Sequence, residues 1–182
     1  EFKDKNFWSQ DLKDREKMAI NASEILDFEI LDFLRHPNLR LKDLPLLDIT
    51  KQLLEIIKNF QPDTVYVNFP GDLNSDHSVM FEAAYTALRP SNLHNVKNIL
   101  CYEVLSSTEW APNIYKQFNP DTFIDISNFL KLKMKSIKAY EFEMRAPPHP
   151  RSNDVITALA MLRGSQVGVK YAESFMTIRK LI

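Results

Sequence analysis

Only three glycines stand in the 182 residues of this chain: Gly71, Gly164 and Gly168. A usual glycine share would give roughly 13 in a chain of this length. Neither G-x-G-x-x-G nor a P-loop can be written with three such residues, so nucleotide binding through a glycine-rich loop is not expected. Otherwise the chain is ordinary. It is 45% hydrophobic and 26% charged, the balance of a folded protein rather than a disordered one. Its length suits one domain with a single substantial core. Lys+Arg 23 against Asp+Glu 24 leaves a net charge of -1, so no charge excess points to nucleic acid or to a membrane surface. No apolar run approaches the roughly 20 residues of a membrane-spanning helix. Cys101 is the sole cysteine and lies in Ile99-Leu100-Cys101-Tyr102. It reads as a small buried hydrophobe, and the lack of any internal disulfide favours a reduced, cytoplasmic setting. The opening Glu1-Phe2-Lys3-Asp4 has no initiator Met and no signal or transit pattern, and reads like the middle of a protein.

Residues 1–10 are polar and irregular in pattern. From Asp11, apolar residues recur at spacings of three and four up to Leu26, which predicts a helix. The apolar run 30–34 predicts a short strand. Pro45 suits a first helical turn, and Leu46 to Ile57 carries a strongly amphipathic pattern. Residues 64–69, Thr-Val-Tyr-Val-Asn-Phe, are β-branched and aromatic and predict a buried strand. Ser75 or Asp76 is placed to cap a helix that stops before Pro90. Strands are expected at 98–105 and 122–126, with Ser127 capping a basic helix to about Phe142. A Pro-rich loop spans 143–152, and helical spacing returns at 153–162 and again at 166–175. Strands alternating with helices predict an α/β fold with a mainly parallel sheet flanked by helices. In such sheets the loops after strands collect function.

Three of those loops hold most of the polar residues of interest. One is Arg35-His36-Pro37-Asn38-Leu39-Arg40, another Gly71-Asp72-Leu73-Asn74-Ser75-Asp76-His77, and the third Ser106-Ser107-Thr108-Glu109-Trp110. The second is the sharpest: two carboxylates and an amide follow a strand, and Asp76-His77 then opens a helix. Imidazole is a common metal ligand, and a carboxylate can orient it. The plainer reading makes Asp76 an N-terminal helix acid and His77 a surface residue.

In these surroundings the chain resembles the LmbE/PIG-L family of zinc-dependent N-deacetylases. Residues 67–79, Val-Asn-Phe-Pro-Gly-Asp-Leu-Asn-Ser-Asp-His-Ser-Val, look like that family's second motif. The segments 34–41, 106–110, 118–120, 125–127, 149–152 and 163–166 are similar to a bacterial branch of it. The resemblance implies a Rossmann-like domain over 1–182, N-terminally incomplete and lacking the first strand. The family's hallmark His-Pro-Asp-Asp, which supplies two zinc ligands and the catalytic base, is absent from the sequence. His36-Pro37-Asn38 and His149-Pro150-Arg151 lack the carboxylates.

By the same resemblance His77 is the third ligand of a single zinc, whose other ligands would come from the absent segment. Asp76 matches an acid that orients a nearby imidazole, and Arg40 a residue that binds substrate polar groups. Many members carry a His at the position of Asn74, where it stabilises the oxyanion or protonates the amine. Asn74 can donate a hydrogen bond but delivers no proton near neutral pH. His149 is then the best replacement acid, against the plain reading of a surface histidine. Arg145 and Arg151 could clamp an anionic group of the substrate or simply cap helix ends. Trp110 could form a wall for a sugar ring or anchor its loop.

The implied activity is metal-dependent hydrolysis of the acetamide of an N-acetylated amino sugar such as N-acetylglucosamine, or of a sugar conjugate. The implied partner is that small molecule, without nucleic acid or a membrane segment, and a homo-oligomer is compatible. An alternative is a non-catalytic carbohydrate-binding or assembly module of the same fold. A weaker one is a phosphoesterase using Asp72, Asp76 and His77. One imidazole cannot hold a catalytic zinc that needs three protein ligands. The chain 1–182 by itself is therefore expected to bind zinc weakly or not at all and to have little deacetylase activity. Stoichiometric, tight zinc in equilibrium dialysis would show that ligands were missed.

Overall fold

The computed structural model describes residues 5–92, 94–114 and 116–182, without the side chains of residues 5–9. In chain order the regular elements are α1 (Lys5–Leu26), α2 (Leu46–Phe60), β1 (Thr64–Asn68), α3 (Ser75–Ala87), β2 (Asn98–Tyr102), β3 (Thr122–Asp125), α4 (Leu130–Lys138), α5 (Asn153–Ser165) and β4 (Ala172–Arg179). The fold is mixed α/β, as expected. The chain divides into two compact units, Glu1–Arg35 with Asp125–Tyr171, and His36–Ile124 with Ala172–Ile182.

The second unit holds the sheet, ordered β1-β2-β4-β3. β1 and β2 run parallel, with Thr64 opposite Asn98 and Asn68 opposite Tyr102. β2 and β4 run antiparallel, with a bulge between Ile99 and Leu100. The sheet is mostly antiparallel, which corrects the expectation of a mainly parallel one. The cause is β4. The spacing over 166–175 predicts a helix, whereas Gly168 takes a left-handed φ of 77° and the chain turns back as a strand. β2 is one of the two inner strands, and its Ile99, Leu100 and Cys101 are buried. β1 stands at one end of the sheet among the described residues. Tyr66 is accordingly 48% exposed and only Val67 of the strand is buried, so the expected buried strand is an edge strand.

Helices α2 and α3 cover the β1–β2 pair. Ile57 from α2 and Ala84, Ala87 and Leu88 from the α3 region meet Val67, Phe69, Ile99 and Cys101 in one apolar cluster. Emptying such a position, Ile99→Ala for example, costs about 2–5 kcal/mol. α2 begins after Pro45 and ends on Gln61 in the left-handed region, whose N–H donates to the Ile57 carbonyl at 2.8 Å. The guanidinium of Arg179 on β4 donates to the Leu88 carbonyl at 2.8 Å, a cation at the C-terminal end of α3.

In the first unit α1 packs on α4, with Met18 and Ala22 buried. The irregular start expected at 1–10 is helical from Lys5 on, and residues 1–4 lie outside the described residues. The strand expected at 30–34 does not form. Residues 28–37 have no regular structure, and Leu31 and Phe28 are exposed. Ser127 does not cap α4: its Oγ accepts the Tyr171 N–H, and Phe129 occupies the cap position. Ser152, fully buried, caps α5 by accepting the Val155 N–H.

Cys101 is buried in the cluster described above, as expected. Burial pushes its thiol up to about 12. Iodoacetamide at about pH 8 should therefore leave it unlabelled in the folded protein and label it once the chain is denatured. Rapid labelling of the native protein, read by mass spectrometry, would contradict this burial.

Candidate active site

The best-defined polar site of the second unit is built where β1 hands over to α3. Phe69 anchors the exit of β1 in the core, 1% exposed, and its ring meets Phe118 edge-on at 5.3 Å. Gly71 follows. A Cβ there would lie 2.4 Å from the Lys116 carbonyl oxygen and 2.5 Å from the Phe69 ring. Only a residue without a side chain lets the backbone pass this close.

Gly71 delivers Asp72 beneath the helix start. The Asp72 side chain is wholly covered, and its Oδ2 accepts a 2.5 Å hydrogen bond from Nδ1 of His77. A carboxylate only accepts here, so the neutral ring carries its proton on Nδ1 and keeps a lone pair on Nε2. The other Asp72 oxygen is buried with no hydrogen-bond partner among the described residues. Tyr102 ionises above its ordinary range, chiefly through burial and also through the nearby Asp72 charge.

Asn74 is the N-cap of α3, in place of the expected Ser75 or Asp76. Its Oδ1 accepts the Asp76 N–H at 2.9 Å, which leaves the NH₂ as its donor end. Asp76 does not touch the imidazole. Its carboxylate reaches back to the 37–41 turn and accepts the N–H of Leu39 at 2.6 Å and of Leu41 at 3.1 Å. The acid bonded to the His77 ring is Asp72. Arg40 lies between the two held amides, and its guanidinium is paired with Asp43 at 2.7 Å on the surface. Leu39 is left-handed, with a φ of 58°.

The loop after β2 braces this arrangement. Ser107, 4% exposed, accepts the Leu73 N–H with its carbonyl and the Asn74 N–H with its Oγ. Ser106 is left-handed, with a φ of 67°, and its N–H donates to Glu109 Oε1 at 2.6 Å. Trp110 beside it is half exposed. The β1–α3 loop with Asn74, Asp76 and His77 is thus tied by hydrogen bonds to the 37–41 turn and to Ser107.

Arg145, His149 and Arg151 belong to the other unit and form a turn of their own. Nδ1 of His149 accepts the Arg151 N–H at 3.0 Å. Arg151 pairs with Glu143, which also takes Arg15. Arg145 donates to the Met144 carbonyl at 2.8 Å.

Residues 3–88 match the family model PIG-L: GlcNAc-PI de-N-acetylase. The resemblance read from the sequence is shown over this segment. Arg40, Asp72, Asn74, Asp76 and His77 fall within the PIG-L segment, and Trp110, Arg145, His149 and Arg151 fall outside it. Three solved structures share the fold. The conserved protein TT1542 from Thermus thermophilus matches with a TM-score of 0.73 and 23% identity over 93% of this chain and 75% of its own. N,N'-diacetylchitobiose deacetylase from Pyrococcus horikoshii, complexed with its inhibitor MPG, matches at 0.66 and 19% over 92% of this chain and 64% of its own. A deacetylase in the biosynthesis pathway of teicoplanin, in a bog complex, matches at 0.64 and 15% over 92% of this chain and 73% of its own.

Among the described residues no group of three or more His, Cys, Asp or Glu gathers as a ready metal site. Asp76 is committed to the 37–41 turn and does not join Asp72 and His77 in one cluster, which weakens the phosphoesterase reading. Within the PIG-L segment, Nε2 of His77 keeps a lone pair on a ring fixed by a buried carboxylate. In the sequence Asp72 stands out only as a phosphoesterase ligand. Its bond to a histidine five residues on depends on the turn at Gly71, which no periodicity reveals. Gly71→Ala should cost about 1–3 kcal/mol, as overpacking does. An unchanged urea midpoint would show that the turn has room to spare.

Proposed function

We propose that this chain carries the larger part of a metal-dependent deacetylase that hydrolyses the acetamide of an N-acetylated amino sugar or sugar conjugate. The observation that carries this reading is the Asp72–His77 pair within the PIG-L segment. An imidazole with one nitrogen on a buried carboxylate and the other bearing a lone pair suits a metal ligand. His77 would be one ligand of the ion; the family's His-Pro-Asp-Asp ligands do not occur in residues 1–182. When bound, the metal supplies Lewis-acid polarisation and a water of lowered pKa.

The remaining roles fall to this chain's own groups. Asn74 has its oxygen tied to the Asp76 amide, so its NH₂ is assigned to the oxyanion. Asp76 holds the turn that carries Arg40, and Arg40 takes polar groups of the sugar. Trp110 offers a half-exposed ring to an apolar sugar face. Arg145 and Arg151 are assigned to anionic groups of a conjugate. For the leaving amine we assign His149. Its Nδ1 accepts the Arg151 N–H, so the neutral ring bears its proton on Nε2. The names of the structural relatives, two of them deacetylases, support the reaction class.

The test is metal content and release of acetate from N-acetylglucosamine conjugates, measured on the full-length protein. His77→Ala should abolish turnover and metal retention. Asp72→Asn should weaken metal binding about 10–100-fold. His149→Ala should lower kcat about 10²-fold with little change in stability. Full turnover in His77→Ala would refute the site, and full turnover in His149→Ala would remove only its role as the acid.

A further inference from the structure

Asp76 stands in the first turn of α3, where the helix dipole favours a negative charge. Its carboxylate is spent on the backbone of a segment more than thirty residues earlier in the chain, accepting Leu39 N–H and Leu41 N–H on its two oxygens. Two N–H groups from one short turn converging on one anion form a nest. The C-terminal side of this turn is also held by Leu41, buried against Ile49 and Ala83, and by the Asp43 N–H on the Arg40 carbonyl at 3.0 Å, but neither fixes the Leu39 side. Leu39 is a non-glycine residue in the left-handed region, and Arg40 N–H reaches the Pro37 carbonyl at a long 3.3 Å. The Arg40–Asp43 pair is 68% and 57% exposed and worth little in water. The guanidinium can therefore be drawn from Asp43 to another acceptor, while the backbone beneath it is fixed by Asp76.

We infer that Asp76 is a positioning residue that acts through Arg40, straddling it with two hydrogen bonds so that its guanidinium is presented to the substrate. The strap itself stands on geometry alone, and the link to substrate rests on the deacetylase reading.

Two measurements on the full protein test this separately. The Leu41 N–H held by Asp76 belongs to the Arg40–Leu41 bond, which is a trypsin site. Loss of the strap should speed cleavage there about tenfold or more in Asp76→Ala, the scale of one hydrogen bond to a charged group. Asp76→Asn, which keeps one acceptor oxygen, should lie between. Unchanged cleavage at this bond in both variants, read by mass spectrometry with thermal melting as control, would overturn the strap. Should Asp76→Ala fail to fold, Asp76→Asn decides.

The second measurement is kinetic. Asp76→Asn should raise KM for an N-acetylglucosamine conjugate about tenfold with kcat changed less, and should add nothing further in an Arg40→Ala background. A fall in kcat at constant KM, or full additivity with Arg40→Ala, would overturn action through Arg40. Absence of any turnover in the wild-type protein, with the trypsin result as expected, would refute the deacetylase reading and with it the substrate-presenting role, but not the strap.

Discussion

A carboxylate cannot be taken out of water without a partner to offset its lost hydration. Asp72 is such a group, and much of the second unit is arranged around it. The turn that carries it is possible because Gly71 has no Cβ to meet the Lys116 carbonyl. The helix that follows is placed so that its first-turn imidazole meets the carboxylate, and buried Ser107 pins the backbone on either side of Leu73. Tyr102, whose ionisation is pushed to higher pH chiefly by burial, is pushed further by this nearby charge. Removing the imidazole would leave the Asp72 carboxylate buried without its donor, a loss of about 1–3 kcal/mol or more for a charged group. Fold and chemistry thus share one interaction here: the bond that makes the buried acid tolerable is the bond that aims Nε2 of His77.

Much of this is legible in the residues, and the misses have physical causes. The amphipathic spacing of α2 and the β-branched content of β1 mark those elements, because periodicity and propensity are local. The run 30–34 misleads because apolar residues make a strand only with a neighbour to bond to, and Leu31 stays half exposed without one. β4 escapes a reading by spacing because Ala172, Phe175 and Met176 satisfy a helical period as well as a strand, and only pairing with β2 decides between them. That one element turns the sheet from the expected parallel arrangement to a mostly antiparallel one. At the site, the residues themselves stand out by type and position. Their division of labour does not, since the bonds of Asp72 and Asp76 depend on turns rather than on spacing.

The first unit shows how local polar groups can organise a stretch with little regular structure. Glu143 gathers Arg15 from α1 and Arg151 from the loop ahead of α5, and the Pro-rich turn closes on itself through His149 and Ser152. An imidazole in such a turn has its ring orientation set by its own backbone, independently of any ligand.

The scarcity of glycine bears on how the site turns are held. Where other chains would place a glycine in the left-handed region, this one places Leu39 and Ser106, and each has its amide held by a carboxylate, Asp76 and Glu109 respectively. Conformations that glycine would adopt without steric cost are here kept by charge-assisted bonds. The pliability of both turns is thereby tied to the local ionic state. Neutralising those acids would slacken the two together, whereas a glycine turn would be indifferent to it.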